Sequence, residues 1–177
     1  LALIGKTEGT NFTRSLLVGH ATTGTLSADC VDNTGVGVNA LDALTTGDNN
    51  TAVGTRALSS VSIGVANTAM GTDSSPNISS GANNTAYGSR SLVTSAGGQH
   101  NVAIGQKALE DSTVHYNTAV GSESLKEVSD SSYNIALGYA SGDNITTGDG
   151  NVIIGSVDAA SATGDRQLMI TGYDGTN

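Results

Sequence analysis

The chain has 177 residues and a formal net charge of −9, with only 3% aromatic residues and no tryptophan. This length fits a single domain, and so few large side chains would fill a layered globular core poorly. The acidic balance argues against nucleic acid as a partner, because phosphates need a basic surface. No run is long and apolar enough to span a bilayer, so we expect no membrane insertion.

A five-residue unit, Asn-x-x-x-Gly, recurs along the chain, first at 33–37 and then at 50–54. The glycines that close the regular copies are Gly37, Gly54, Gly71, Gly88, Gly105, Gly121, Gly138 and Gly155. Weaker copies of the unit lie outside this array, at 1–5, 15–19 and 168–172, the last closing one full period after Gly155. A short period of about 17 residues that holds this steadily is the mark of a stacked solenoid.

The repeat length favours an all-β fold. A unit of about 17 residues is too short for a helix pair, and no segment keeps a 3.6-residue apolar stripe. We therefore predict a parallel β-solenoid, or β-roll, of about eleven coils spaced about 4.8 Å apart. Residues 1–32 would form irregular leading coils, 33–155 the regular repeats, and 156–177 a terminal coil or transition that keeps the register without the Asn.

Stacking would place equivalent residues of successive coils in columns, and alternate strand residues face opposite sides. We expect a column of small residues to face the narrow lumen and a variable apolar column to face outward, although the opposite assignment is physically possible. The small column, two residues before each glycine, is Gly35, Ala52, Ala69, Ala86, Ala103, Ala119, Ala136 and Ile153. An outward apolar stripe favours association of copies of the chain, most simply as a homotrimer. The candidate trimer-interface residues are Val53, Met70, Tyr87, Ile104, Val120 and Leu137.

Three further columns predict how each coil closes. The repeated Asn predicts a hydrogen-bonded side-chain ladder, and the repeated Gly predicts a bend or a close approach that a Cβ would block. A leucine four residues after the glycine predicts a second strand that closes the lumen. These leucines are Leu41, Leu58, Leu92, Leu109 and Leu125.

No catalytic constellation emerges from the sequence. The three histidines (His20, His100 and His115) and the twelve aspartates occupy unrelated positions in the repeat, without the spacing of metal ligands or of a triad. A carbohydrate-cleaving solenoid would need clustered carboxylates on one face, and we find no pair in one column on adjacent coils. We expect no enzymatic activity, cofactor or metal. Cys30 is the only cysteine, so no internal disulfide can form.

Two columns suggest binding functions as alternatives. His100, Tyr116 and Tyr133, each five residues before its glycine, would stack on an outer corner, where aromatic side chains either bind sugar rings or stabilise the sheet. We favour stabilisation and keep glycan binding as an alternative. A threonine column typical of ice-binding solenoids is broken by Val102 and other apolar residues, so ice binding is the less favoured hypothesis. Its threonines are Thr34, Thr51, Thr68, Thr85 and Thr118.

The repeated Asn-Thr-Ala-Val-Gly-x-x-Ala-Leu, followed by a polar turn such as 45–49, resembles the repeat regions of phage tail fibres and of related bacterial surface proteins. It is also similar to the head repeats of trimeric autotransporter adhesins, which are left-handed parallel β-rolls that associate in threes. The resemblance covers about residues 33–155. It implies a homotrimeric segment of a longer fibre, on a virion or at a cell surface, that spaces or presents regions attaching to a host receptor or glycan. The choice between phage fibre and adhesin stays open.

Overall fold

The computed structural model describes residues 5–6, 14–19, 30–94, 96–111 and 115–172. This part of the chain contains eleven short strands in one sheet, in chain order, and no helix. The strands are β1 Gly5–Lys6, β2 Leu16–Val18, β3 Thr34–Val36, β4 Thr51–Val53, β5 Thr68–Met70, β6 Thr85–Tyr87, β7 Val102–Ile104, β8 Thr118–Val120, β9 Ile135–Leu137, β10 Val152–Ile154 and β11 Leu168–Ile170.

The predicted parallel β-solenoid is confirmed, with slightly fewer coils than expected. Each strand from β2 to β11 pairs in parallel with the next, so ten strands stack instead of about eleven. The weak copy at 1–5 does not add a parallel coil, because its one described residue, Gly5, pairs antiparallel with Val18. The other residues of that copy lie outside the described part of the chain.

The last coil is one residue shorter than the glycine interval indicates. Val152 pairs with Leu168, whereas the regular period would pair it with Met169. As a result Thr171, and not Gly172, stacks on Gly155. Gln167 takes the place of the repeated Asn and donates from Nε2 to the Asn151 Oδ1 at 3.1 Å. The prediction that this segment keeps the register of the array was therefore wrong.

The small column faces the lumen, as predicted. Its alanines and Ile153 are fully or almost fully buried, whereas the strand residues on either side of them are partly or well exposed. A further apolar column, seven residues after each repeated glycine, completes the core. It consists of Leu44, Val61, Ile78, Val128 and Ile145, all with no exposed surface. The narrow core is filled by small and medium side chains, which is why the chain needs so few aromatics.

The leucine column closes the lumen from turns and not from a second strand, so that part of the prediction was wrong. Leu41, Leu58 and Leu92 have φ values of 57°, 49° and 52°, and all three are fully buried. Hydrogen bonds still link the coils here, for example from the Leu92 N–H to the Ala108 carbonyl at 2.9 Å. A left-handed backbone costs about 1–2 kcal/mol per residue, which burial of a leucine side chain, about 1.5–3 kcal/mol, offsets.

The predicted asparagine ladder is present and buried. The Asn84 Nδ2 donates to the Asn67 Oδ1 at 3.0 Å and to the Gly98 carbonyl at 2.7 Å. The Asn84 Oδ1 in turn accepts from the backbone N–H and the Nδ2 of Asn101, both at 3.0 Å. Each amide of this kind ties its own coil to two neighbours, because a buried polar group must find partners.

The repeated glycine lies at a close approach between coils, as predicted. Gly88 has a φ of 134°, and a Cβ at this position would lie 2.5 Å from the carbonyl oxygen of Gly105. Only a residue without a Cβ fits both the backbone angle and this distance.

Candidate functional site

The outer face of the sheet carries exposed apolar side chains along the described stack of strands. It carries the first and third residues of each strand, since alternate residues point to opposite sides. From Val36 to Ile154 it is about 34 Å long at the spacing of stacked strands. The first column mixes threonine with Val102, Ile135 and Val152. The third column is apolar in every coil.

All six predicted interface residues are third residues of their strands and lie on this outer face. Tyr87 is 55% exposed and Leu137 48% exposed, and Met70 and Ile104 are also exposed. Val53 and Val120 are half-buried. Solitary exposed apolar residues are common on protein surfaces, whereas contiguous apolar patches are unusual on soluble monomers.

The aromatic column lies on one corner of the solenoid, where the backbone is left-handed in every coil. The residue before each repeated Asn has a φ between 53° and 68° from Asp32 to Arg166. Asn, Asp and Gly tolerate this region best, and Asp32, Asn49 and Asn83 follow that preference. Ala66, Tyr116 and Tyr133 adopt the same angle, so the fold of the coil holds this backbone angle whichever residue occupies the corner.

The three predicted ring side chains form one continuous parallel stack. The ring centroids of His100 and Tyr116 are 5.0 Å apart with planes 4° apart, and those of Tyr116 and Tyr133 are 5.0 Å apart with planes 3° apart. His115 lies beside the stack, 6.2 Å from Tyr116 and tilted by 47°. Tyr116 is 46% exposed and Tyr133 62% exposed. The predicted exposed edge is confirmed, and its ability to bind a ligand is a separate question.

One carboxyl pair was missed by the sequence reasoning. Asp143 and Asp158 meet on adjacent coils beside a shallow cavity of about 250 Å³. Burial raises the pKa of the Asp143 carboxyl to about 6, helped by a hydrogen bond with Asp158 and by the negative charges of Asp158 and Glu127, while Lys126 opposes the shift. Hydrogen-bonded carboxyls are closer than the separation of about 5 Å or more that glycosidases keep. The proximity of the two carboxyl groups disfavours ionisation of the Asp143 carboxyl, because like charges at close range repel.

The pair was missed because its members are not equivalent in the repeat. Asp143 is five residues after Gly138, whereas Asp158 is three residues after Gly155. A comparison within single columns cannot detect such a contact. A comparison between different columns of adjacent coils would have identified the pair.

The other predicted positions that the structure describes form no further cluster of catalytic or metal-ligand residues. His20 lies outside the described residues, and Cys30 is buried against the Gly47 carbonyl, 3.4 Å from its Sγ. Within the described ranges, no three His, Cys, Asp or Glu side chains are grouped as metal ligands would be. Among the same residues there is no helix with the length and hydropathy of a membrane span.

Comparison with known proteins gives no relative from which a function could be transferred. No protein-family model matches the chain, and neither the search of curated proteins nor the search of solved structures returned a match. Functional inference therefore depends on the geometry of the solenoid and on the pattern of its repeat.

Proposed function

We propose that this chain is a structural segment of an extracellular fibre, a phage tail fibre or a surface adhesin, that assembles as a homotrimer and spaces or presents host-attachment regions. The observation that carries this function is the apolar outer face of the sheet, with Met70, Tyr87, Ile104 and Leu137 all exposed. The repeat's resemblance to tail-fibre and adhesin-head repeats supports both the role as a fibre segment and the assembly as a trimer.

The solenoid suits a rod better than a globular binding protein. Each strand pairs only with the strands of the coils before and after it, so the structure extends in one direction as repeats are added. Backbone hydrogen bonds and the asparagine ladder run along the stack, so the segment resists bending along its whole length. A stiff element that holds a distance is the mechanical role of a fibre shaft.

Association of copies would bury the apolar outer face, which a single chain exposes to water. In one chain the stripe contacts water over about 34 Å, and burying apolar surface contributes about 25 cal/mol per Å². Three chains around a common axis would each turn this face inward and would leave the polar corners outside. The assembly would carry three times the charge of −9, that is −27. Salt should therefore favour it by screening the repulsion.

Charge insertion on the outer face tests this function. Ile104→Asp and Val120→Asp place a carboxylate in the centre of the stripe, where desolvation would penalise it. We expect each variant to sediment as a monomer with an unchanged circular dichroism spectrum. Ser80→Asp adds the same charge at an exposed turn away from the face and should stay trimeric. If all three variants associate equally, the outer face is not the interface.

Glycan binding by the aromatic corner is the second candidate function. The specific observation in its favour is the continuous stack of His100, Tyr116 and Tyr133, which is parallel and exposed. Within the stack the rings cover each other's faces, so the ring edges line the corner and the end rings offer a π face to the C–H groups of a sugar. On a fibre this corner would contact host glycans along the side of the shaft.

A glycan array tests whether the aromatic corner binds glycans. The parent chain should retain glycans that the Tyr116→Ala, Tyr133→Ala double variant loses, because the double variant removes most of the ring surface. Thermal melting of both proteins shows whether the loss is due to unfolding. Equal binding by parent and double variant would assign the stack a purely structural role.

Ice binding is less favoured by the geometry. The threonine column shares its face with the third strand column, whose side chains range from valine to the 55% exposed Tyr87. Such a face lacks the flat, regular surface that binding to an ice lattice needs.

A further inference from the structure

The aromatic column contains a gap of one side chain. The coil after Tyr133 has Gly150 at the equivalent position, and the coil after that has Arg166. Neighbouring rings in this column are 5.0 Å apart, so Tyr133 and Arg166 stand two coils apart, about 10 Å at the spacing of stacked strands. Because Gly150 has no side chain, an open slot lies between them.

The slot is a cavity open to solvent and lined by five residues. Its volume is about 350 Å³, and its lining residues are Tyr133, Asp149, Gly150, Asp165 and Arg166. This volume is at the small end of ligand sites, which run from about 300 to 1,000 Å³. It therefore suits one ring of a ligand and not an extended molecule.

The walls differ in chemistry. One wall is the exposed ring of Tyr133. The other is Arg166, whose Cγ lies 3.7 Å from the position that a Cβ on Gly150 would take, so its aliphatic stem packs against the floor. Within the described part of the chain, no carboxylate forms an ion pair with Arg166. Its guanidinium is therefore available to donate hydrogen bonds.

Two carboxylates are fixed at the side of the slot. One Asp149 oxygen accepts from the Ser132 N–H at 2.6 Å, and one Asp165 oxygen accepts from the Asp149 N–H at 2.8 Å. These bonds hold both groups in place. A carboxylate has acceptor capacity for more than one such bond, so each can also accept from a ligand hydroxyl.

We propose that this slot binds one uncharged pyranose residue of a glycan, an assignment that rests on the glycan-binding candidate above. Rings in this column are spaced 5.0 Å apart, so the gap admits one ring, whether flat or puckered. The two carboxylates beside it favour a ring that carries several hydroxyl donors, as a pyranose does. Its C–H face packs on Tyr133, and its hydroxyls donate to Asp149 and Asp165. The same carboxylates disfavour a nucleotide, because they repel phosphate.

Saturation-transfer NMR on the intact chain tests the slot. The probes are the methyl α- and β-pyranosides of glucose, galactose, mannose and N-acetylglucosamine, with 4-methylphenol as a flat-ring probe. At least one glycoside should bind, and Gly150→Tyr should weaken it at least tenfold by filling the slot with one more stacked ring. The variant should fold, because Tyr116 and Tyr133 already occupy this corner at φ values of 59° and 64°. Ala66→Tyr adds a ring to the same column far from the slot and should bind as the parent does.

One further variant distinguishes binding in the slot from binding along the ring stack. Tyr116→Ala shortens the stack but leaves Tyr133 as the slot wall, so it should keep glycoside binding. If Tyr116→Ala abolishes binding and Gly150→Tyr does not, the stack is the site and the slot assignment is overturned, although the glycan-binding function stands. Binding of 4-methylphenol without any glycoside, or no binding of any probe, would also overturn the assignment.

Discussion

Gly142 leaves the space that Ile153 fills. They belong to successive repeats, and a Cβ added to Gly142 would lie 3.2 Å from the Ile153 Cγ1. Gly142 occupies the position that leucine holds in most other coils, and Ile153 occupies the position of the repeated alanine. The two departures from the repeat compensate each other in volume, so the lumen keeps its cross-section.

This pair should behave as a coupled unit. Gly142→Leu alone should overpack the coil by about 1–3 kcal/mol, and Ile153→Ala alone should open a cavity that costs about 2–5 kcal/mol. The double variant restores the usual Leu and Ala combination, and it should be more stable than either single variant. Chemical denaturation of the four proteins measures the coupling free energy. Additive losses would show that the two sites are independent.

Replacement of the repeated glycine should destabilise the solenoid. In Gly88→Val and Gly105→Val the new side chain would meet the backbone of the next coil, at a φ that L residues rarely adopt. We expect a loss of about 3 kcal/mol or more in each, read as a lower melting temperature. Gly97→Val is the matched control, because its Cβ would meet only the Ser80 Oγ at 3.8 Å. Variants that all melt like the parent would disprove the close approach.

The asparagine ladder should be sensitive to the loss of a single member. Asn84→Ala removes the acceptor of the hydrogen bond from the Asn101 N–H and the donor of the hydrogen bond to the Gly98 carbonyl. Each buried unpaired group costs about 1–3 kcal/mol, so we expect a total loss of about 3 kcal/mol in the free energy of unfolding. Asn83→Ala is the control, since this residue is exposed and alanine already occupies its column at Ala66. Equal stability of the two variants would mean that the ladder adds nothing.

Stability should depend on pH through Asp143. The folded-state pKa of this carboxyl is raised to about 6 from an ordinary value of 3.8, chiefly by burial. Its stabilising contribution is therefore fully present below pH 3.8 and is lost as the pH rises through 6. Asp143→Asn should remove this loss and should melt higher than the parent at pH 7. Asp130→Asn, which changes an exposed carboxyl, should keep the parent's pH dependence between pH 4 and 7.

Much of the fold was predictable because the repeat itself aligns the coils. Equivalent positions stack, so the burial of Ala52 and the pairing of Asn50 with Asn67 followed directly from the constant period. The stacking of Tyr116 on Tyr133 followed in the same way. These features depend only on which residues recur at one position.

Features that depend on backbone angle or on unequal coils were not predictable in this way. Leu92 recurs at a fixed position and is buried, as an inward strand residue would be, but its left-handed φ of 52° places it in a turn. Gly172 follows Gly155 by one full period, yet the strand between them pairs one residue out of that register. The slot at Gly150 could have been found by extending the aromatic column by two further coils.

The mass of the isolated chain in solution tests the central claim most directly. One chain has a mass of 17.6 kDa, so a homotrimer would have three times that mass. Sedimentation velocity at about 0.15 M salt, where surface charge is well screened, should give an elongated particle of the trimer mass. A stable particle with the mass of one chain, and with the stripe from Val36 to Ile154 exposed to water, would contradict the account.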